Sequence, residues 1–264
     1  MELKIFQVDA FTATRFRGNP AAVIPLTAWL PDATMQAIAA ENNLAETAFF
    51  CREADLYRLR WFTPTVEVDL CGHATLAASF VLFTEMKHPE TSVSFASRSG
   101  ILTVTRKDDL LSMDFPSLRP EPVSPPRGLI DAMGLPPRQV LRSMDYMLVY
   151  DREEEIRRLE PDFVALGKLD GRGVIATARG KDVDFVSRFF GPAVGINEDP
   201  VTGSAHSQLT PYWCGILGKK SLHALQISSR GGELFCEERG ERVTISGHAV
   251  VYLRGTIEIG DPAG

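Results

Sequence analysis

Asp69-Leu-Cys-Gly-His-Ala-Thr-Leu-Ala-Ala-Ser-Phe-Val-Leu-Phe83 is the stretch that decides the fold. Its front, Asp69, Cys71, Gly72 and His73, is polar and tight. Behind it Ala74 to Phe83 is apolar nearly all the way round, broken only by Thr75 and Ser79. A helix apolar on every face is a buried one. The spacing therefore predicts a helix near 72–85 threaded through a domain core. Its N-terminus, with free N–H groups and partial positive charge, would open onto a small polar spot suited to an anion.

The stretch has an echo about half a chain later. Phe62-Thr-Pro64-Thr-Val66 precedes the first copy, and Phe190-Gly-Pro192-Ala-Val194 precedes Glu198-Asp-Pro-Val-Thr-Gly-Ser-Ala-His206. Gly72-His-Ala aligns with Gly203-Ser-Ala if the second copy takes three extra residues. A repeat at that distance suggests a duplicated unit of ordinary domain size.

The rest of the chain reads as short strands with few helices. Lys4–Ala10, Ala22–Ile24, Glu46–Phe50 and Tyr57–Trp61 read as strands, with a helix from an Asp32 cap to Asn42. A meander follows to Phe115, then a proline-rich linker from Pro116 to Pro126. Short helices are expected at Ile130–Met133, Glu153–Leu159 and Asp162–Leu166, and more strands to Ile259. A second central helix is expected near 203–217, with Pro211 placed early or leaving a kink. The fold class is α+β. Two pseudo-symmetric domains are expected, 1–116 and 117–255, each a curved, mostly antiparallel sheet round a central buried helix. A last strand near 256–264 is expected to return to the first domain.

Composition excludes several functions. The chain has 264 residues, 44% hydrophobic and 23% charged, with a net charge of −6. Its pI is near 5.5, and with no basic run it offers nucleic acid no footprint. No apolar run reaches membrane-spanning length, and the start, Met1 to Phe6, lacks signal-peptide character. Cys51, Cys71, Cys214 and Cys236 are scattered without paired spacing, as expected of free thiols in a reducing cytoplasm.

Four side chains could carry chemistry. Glu46 opens a strand beside Leu44, Ala45, Ala48 and Phe49; apolar surroundings disfavour a charged carboxylate, which suits a general acid/base. The plain alternative is a solvated strand-edge glutamate. His73 at a helix N-terminus is expected to be neutral and to hydrogen-bond a substrate, or else to close the turn. Asp199, extended before Pro200, either faces the Thr202–Ser204 helix start or simply caps it. Cys71 could be a thiol base. Gly72 and Gly203 permit close approach of a ligand, and Ser204 could bind a carboxylate. His73, Asp199 and His206 lack zinc spacing, and no serine-hydrolase motif occurs.

The motifs Val8-Asp-Ala-Phe11, Phe16-Arg-Gly-Asn-Pro20, Leu44-Ala-Glu-Thr-Ala-Phe49, Phe62 to Thr75 and Glu198 to His206 resemble those of the phenazine-biosynthesis PhzF-like family, of the diaminopimelate epimerase-like fold. The resemblance implies two similar domains with the active site between them. It implies an isomerase or epimerase working by proton transfer without metal or other cofactor, and a homodimer. Glu46 would be the acid/base. His73 and Asp199 would position substrate and assist the proton. Gly72, Gly203 and Ser204 would hold the substrate carboxylate, with Asn19 as a further substrate contact. Two positions depart from the pattern: Ala45 stands where the family often has Ser, and no cysteine occurs in the Asp199–His206 stretch. The expected partner is a small carboxylic acid, with neither nucleic acid nor membrane. The alternatives are a non-catalytic acid-binding protein and a thiol-based racemase using Cys71.

Overall fold

The computed structural model describes residues 1–260. They form two compact units, Met1–Asp114 with the chain from Ser246 onward, and Phe115–Ile245. The first unit carries strands β1 (Glu2–Ala10), β2 (Asn19–Leu26), β3 (Glu46–Glu53), β4 (Leu56–Phe62), β5 (Glu67–Val68), β6 (Ser92–Ser97), β7 (Gly100–Lys107) and β8 (Leu110–Pro116). The second carries β9 (Glu121–Pro122), β10 (Gln139–Arg142), β11 (Tyr146–Val149), β12 (Val174–Arg179), β13 (Phe185–Gly191), β14 (Ile196–Asp199), β15 (Ser221–Gln226), β16 (Gly232–Arg239) and β17 (Arg242–Gly247). The final strand, β18 (Ala249–Glu258), belongs to the first unit. The chain crosses from one unit to the other inside β8 and returns inside β17.

The pairing order is the same twice. In the first unit β1–β2 is antiparallel, β2–β3 parallel, β3–β4 and β4–β5 antiparallel, β4–β6 parallel and β6–β7 antiparallel. In the second the series β10 to β16 runs antiparallel, parallel, antiparallel, antiparallel, parallel, antiparallel through the matching partners. The sheets are therefore mixed, and the parallel pairs are what the alternation of side chains alone did not reveal.

Each unit is built round the helix its sequence marked. Helix α1 (Asp32–Asn42) comes first in the chain and packs on the sheet of the first unit. The central helix α2 (Gly72–Phe80) is buried from His73 to Ser79, and its end widens into a π turn, Val81–Glu85. Its polar residues satisfy themselves: the Thr75 hydroxyl donates to the Cys71 carbonyl and Ser79 to that of Thr75. α2 packs against β1, β2 and β3. The alternate residues of β3, Phe49 and Cys51, pack with Met35, Ile38 and Ala39 of α1. A buried side chain of this size contributes roughly 1.5–3 kcal/mol. In the second unit α3 (Leu129–Met133), α4 (Glu153–Arg158) and α5 (Phe163–Leu166) share a core with β11, β12 and β13. The central helix there is α6 (His206–Leu217), led in by a 3-10 turn, Gly203–Ala205.

Some local expectations change. Pro31, not Asp32, is the N-cap of α1; Asp32 sits in the first turn and reaches Arg60. The proline-rich stretch is not only a linker, because Glu121–Pro122 pairs with β10. The two strands expected after Gly247 are one, and it pairs with β1 along its length; of the strand placed near 256–264, residues 261–264 lie outside the described residues. Pro211 sits inside α6. It has no N–H for the Ser207 carbonyl one turn back. The Leu118 N–H takes that carbonyl instead, at 2.9 Å. No helix among the described residues is long and apolar enough to cross a membrane, and all four cysteines are buried and unpaired.

Candidate functional site

The mouth of α2 gathers the first set of marked residues. Cys71 is extended just ahead of the helix, so Gly72 and His73 lie in the first turn, where N–H groups have no intrahelical acceptor. β3 runs parallel to β2, placing Glu46 opposite Ala21 at the strand's first position. Glu46 Oε2 lies 3.1 Å from His73 Nε2, and the two side chains are only 12% and 6% exposed. The contact is off hydrogen-bond geometry. Neither atom has another partner among the described residues. On the other edge of the ring, Nδ1 lies 3.2 Å from Asn19 Nδ2 and 3.5 Å from Cys71 Sγ. Glu46, His73, Asn19, Gly72 and Cys71 thus form one cluster.

The electrostatics correct the expectation of a neutral His73. Burial opposes a charged imidazole, but the flanking Cys71 and Glu46 outweigh it and hold His73 well above its ordinary value. Burial first, and then the Glu46 charge, push the Cys71 thiol up. With the sulfur protonated, the Glu46 charge is what remains to favour a proton on His73. The helix-end argument pointed the other way because it counted the backbone and not the carboxylate. With Nδ1 accepting from Asn19, the ring proton lies on Nε2 facing Glu46. A turn of the Asn19 amide offers its oxygen instead and accommodates a second proton.

Glu46, Cys71 and His73 also present three ligand-type atoms within 4.8 Å of one another. The sulfur approaches Nδ1 and the carboxylate approaches Nε2, so they flank the ring and do not converge on one point beside it.

The mouth of α6 is built differently. Thr202 is extended, and its hydroxyl donates to Asp199 Oδ2 at 2.6 Å. Gln226 straps this loop: its Oε1 accepts from the Thr202 N–H, and its Nε2 donates to the Asp199 carbonyl. Asp199 is thus placed at the helix start by a short turn. Ser204 Oγ accepts from Arg172 Nη1 at 3.0 Å. Arg172 itself grips Asp145 through Nε and Nη2, at 3.0 and 2.6 Å. Asp145 is fully buried and also accepts from Gln208 Nε2. His206 Nδ1 lies 2.9 Å from the Thr202 carbonyl, which fixes its proton there. Burial pushes His206 down to about 4.

The two mouths match position by position. Thr75 and His206 each bond the carbonyl of the residue just ahead of the helix turn, Cys71 and Thr202. Ser79 and Thr210 bond the carbonyls of Thr75 and His206 in turn. Sequence reasoning missed Arg172, Asp145, Gln208 and Gln226. Their bonds span 24 to 63 residues, and no local pattern announces them.

Residues 8–255 match the family model described as phenazine biosynthesis-like protein, PhzC-PhzF. The chain is 56% identical to an uncharacterized isomerase of Pseudomonas aeruginosa over 98% of this chain and all of the relative. A crystal structure of a PhzF-family phenazine biosynthesis protein from Enterococcus faecalis superposes with TM-score 0.96 at 48% identity, covering 98% of this chain and all of the other. The fold alone extends further, to a hydroxyproline epimerase of Agrobacterium vitis crystallised with trans-4-hydroxy-L-proline. There the TM-score is 0.61 at 12% identity, over 99% of this chain and 94% of the other.

Proposed function

The chain belongs to the phenazine biosynthesis-like PhzC-PhzF family and is an isomerase; from that premise we propose that it moves a proton on a small carboxylic acid, without a cofactor, with Glu46 as general acid/base. One observation carries this reading. A buried carboxylate oxygen and a buried imidazole nitrogen stand 3.1 Å apart, with no aligned partner for either. Buried polar atoms are nearly always bonded, and exceptions gather where a substrate completes the set.

Glu46 takes a proton from the carbon beside the acid group. His73, charged when Glu46 is charged, stabilises the electron-rich intermediate. Glu46 returns the proton to another carbon or to the other face. A single base favours an allylic shift or tautomerisation, whereas return to the other face would need a second group. By the same premise Asp199 assists proton movement, and Asn19, Gly72, Gly203 and Ser204 hold the acid group.

The test is solvent exchange. Candidate acids are incubated in deuterated water with wild type and Glu46→Gln, and label entering carbon is followed by NMR. Label with wild type alone is expected. Binding without label, or label that survives Glu46→Gln, sinks the mechanism.

A further inference from the structure

Phe62 and Phe190 anchor the two units to one register. Thr47 pairs with Phe62 and with Ala22 in the first unit, and Val174 pairs with Phe190 and with Tyr146 in the second. The residue ahead of Thr47 is Glu46, so its counterpart is Gly173. No side chain fits there: a Cβ on Gly173 would lie 2.4 Å from the Phe189 ring and 2.9 Å from the Phe190 carbonyl oxygen. The group that reaches the α6 mouth comes instead from the preceding residue, Arg172. It is delivered by a left-handed turn at Gly171, φ +103°. Glu46 meets His73, and Arg172 meets Ser204, the residue that aligns with His73. The group that meets this aligned residue is a carboxylate in one unit and, supplied from one residue earlier, a guanidinium in the other.

We propose that Arg172 is a positioning and specificity residue: clamped on Asp145, it holds Ser204 as a hydrogen-bond donor to an anionic acid group. This rests on the proposed reading of Ser204. The geometry supplies the reason. Arg172 Nη1 donates into the Ser204 oxygen, which leaves the hydroxyl hydrogen to point elsewhere. Two of the three guanidinium nitrogens are fixed by a carboxylate that is fully buried and held by Gln208. The ring of Phe189 lies 5.3 Å from the guanidinium carbon. Arg172 is nonetheless 34% exposed, so its charge is not sealed in the core.

Two arms test the proposal. In the first, acetate and sulfate are titrated into the whole protein, and the Ser204 amide shift is read by NMR, with no turnover required. Wild type is expected to saturate. Arg172→Gln should bind about tenfold more weakly or worse, and Arg172→Lys should stay weak, because one ammonium cannot hold Asp145 and Ser204 together as the guanidinium fork does. No saturable shift in wild type, or equal affinity in Arg172→Gln, overturns it. The second arm uses an acid that passes the exchange test. Arg172→Gln and Ser204→Ala should each raise KM about tenfold with kcat within about threefold, and the double variant should be no worse than either single one. A fall in kcat at constant KM, or additive losses, overturns the proposal. A drop in thermal midpoint without a KM change shows Arg172 to be structural and also overturns it. If no acid exchanges with wild type, the proposed function fails while the anion arm still decides the role of Arg172.

Discussion

At the mouth of α2 an imidazole lies between a thiol and a carboxylate. At the mouth of α6 a hydroxyl leans on a guanidinium locked to a buried aspartate. The backbones are alike, down to the side chain that bonds the carbonyl ahead of each helix. The side chains differ in how tightly they are paired. Glu46 and His73 lie 3.1 Å apart and out of hydrogen-bond alignment. Arg172 and Asp145 form a bidentate pair through Nε and Nη2. Duplication kept the free N–H groups, and the strand edge beside them diverged in charge.

The sharpest break of this contrast is Glu46→Gln. Solvent label incorporation should fall about 10²- to 10⁴-fold, far beyond what any loss of the Glu46–His73 contact does to stability. An Asp145→Ala change at the other mouth should lower stability, about 1–3 kcal/mol by denaturant, because Gln208 loses its buried acceptor and Arg172 its clamp.

The two histidines give opposite pH limbs. His206 is lowered to about 4 from 6.5 by burial. It stays neutral in the folded chain while the unfolded chain takes up a proton. Its stabilisation is complete above 6.5 and is lost as pH falls toward 4, by about 3 kcal/mol. His206→Gln should flatten that acid limb in urea melts taken across the range. His73 is raised by its neighbours despite burial, so its contribution is present below 6.5 and is lost as pH rises through the folded value. His73→Asn should flatten the alkaline limb only. An acid limb that follows His73, or an alkaline limb that follows His206, would end the comparison.

The smallest effect is expected at Cys71. A protonated, buried thiol should react slowly with iodoacetamide in the native protein, and Cys71→Ala should leave exchange within about threefold. Stoichiometric inactivation by alkylation at Cys71, with Glu46→Gln still active, would move the chemistry to the sulfur.

What the sequence showed followed short range. The all-round apolar face gave α2 its place in the core, and the echo at Gly203 gave the second unit its centre. Glu46 was legible because it opens a strand just after a helix. Other features were hidden because their partners lie far along the chain. The Arg172–Asp145 grip joins residues 27 apart, and Gln208 reaches Asp145 across 63. The parallel pairs β2–β3 and β4–β6 leave no mark in alternation. Glu121–Pro122 was masked by its prolines, whose turn chemistry outweighed a two-residue strand. The charge state of His73 needed the position of Glu46, which no spacing supplies.

The borrowed bond at Pro211 makes α6 depend on a distant segment of its own unit. Leu118 donates to the Ser207 carbonyl, and Ser117 to that of Glu241. Both donors lie near the start of the second unit, and both acceptors lie near its end. α6 is thus completed by a segment outside it, and a Leu118→Pro change would leave the Ser207 carbonyl with neither donor.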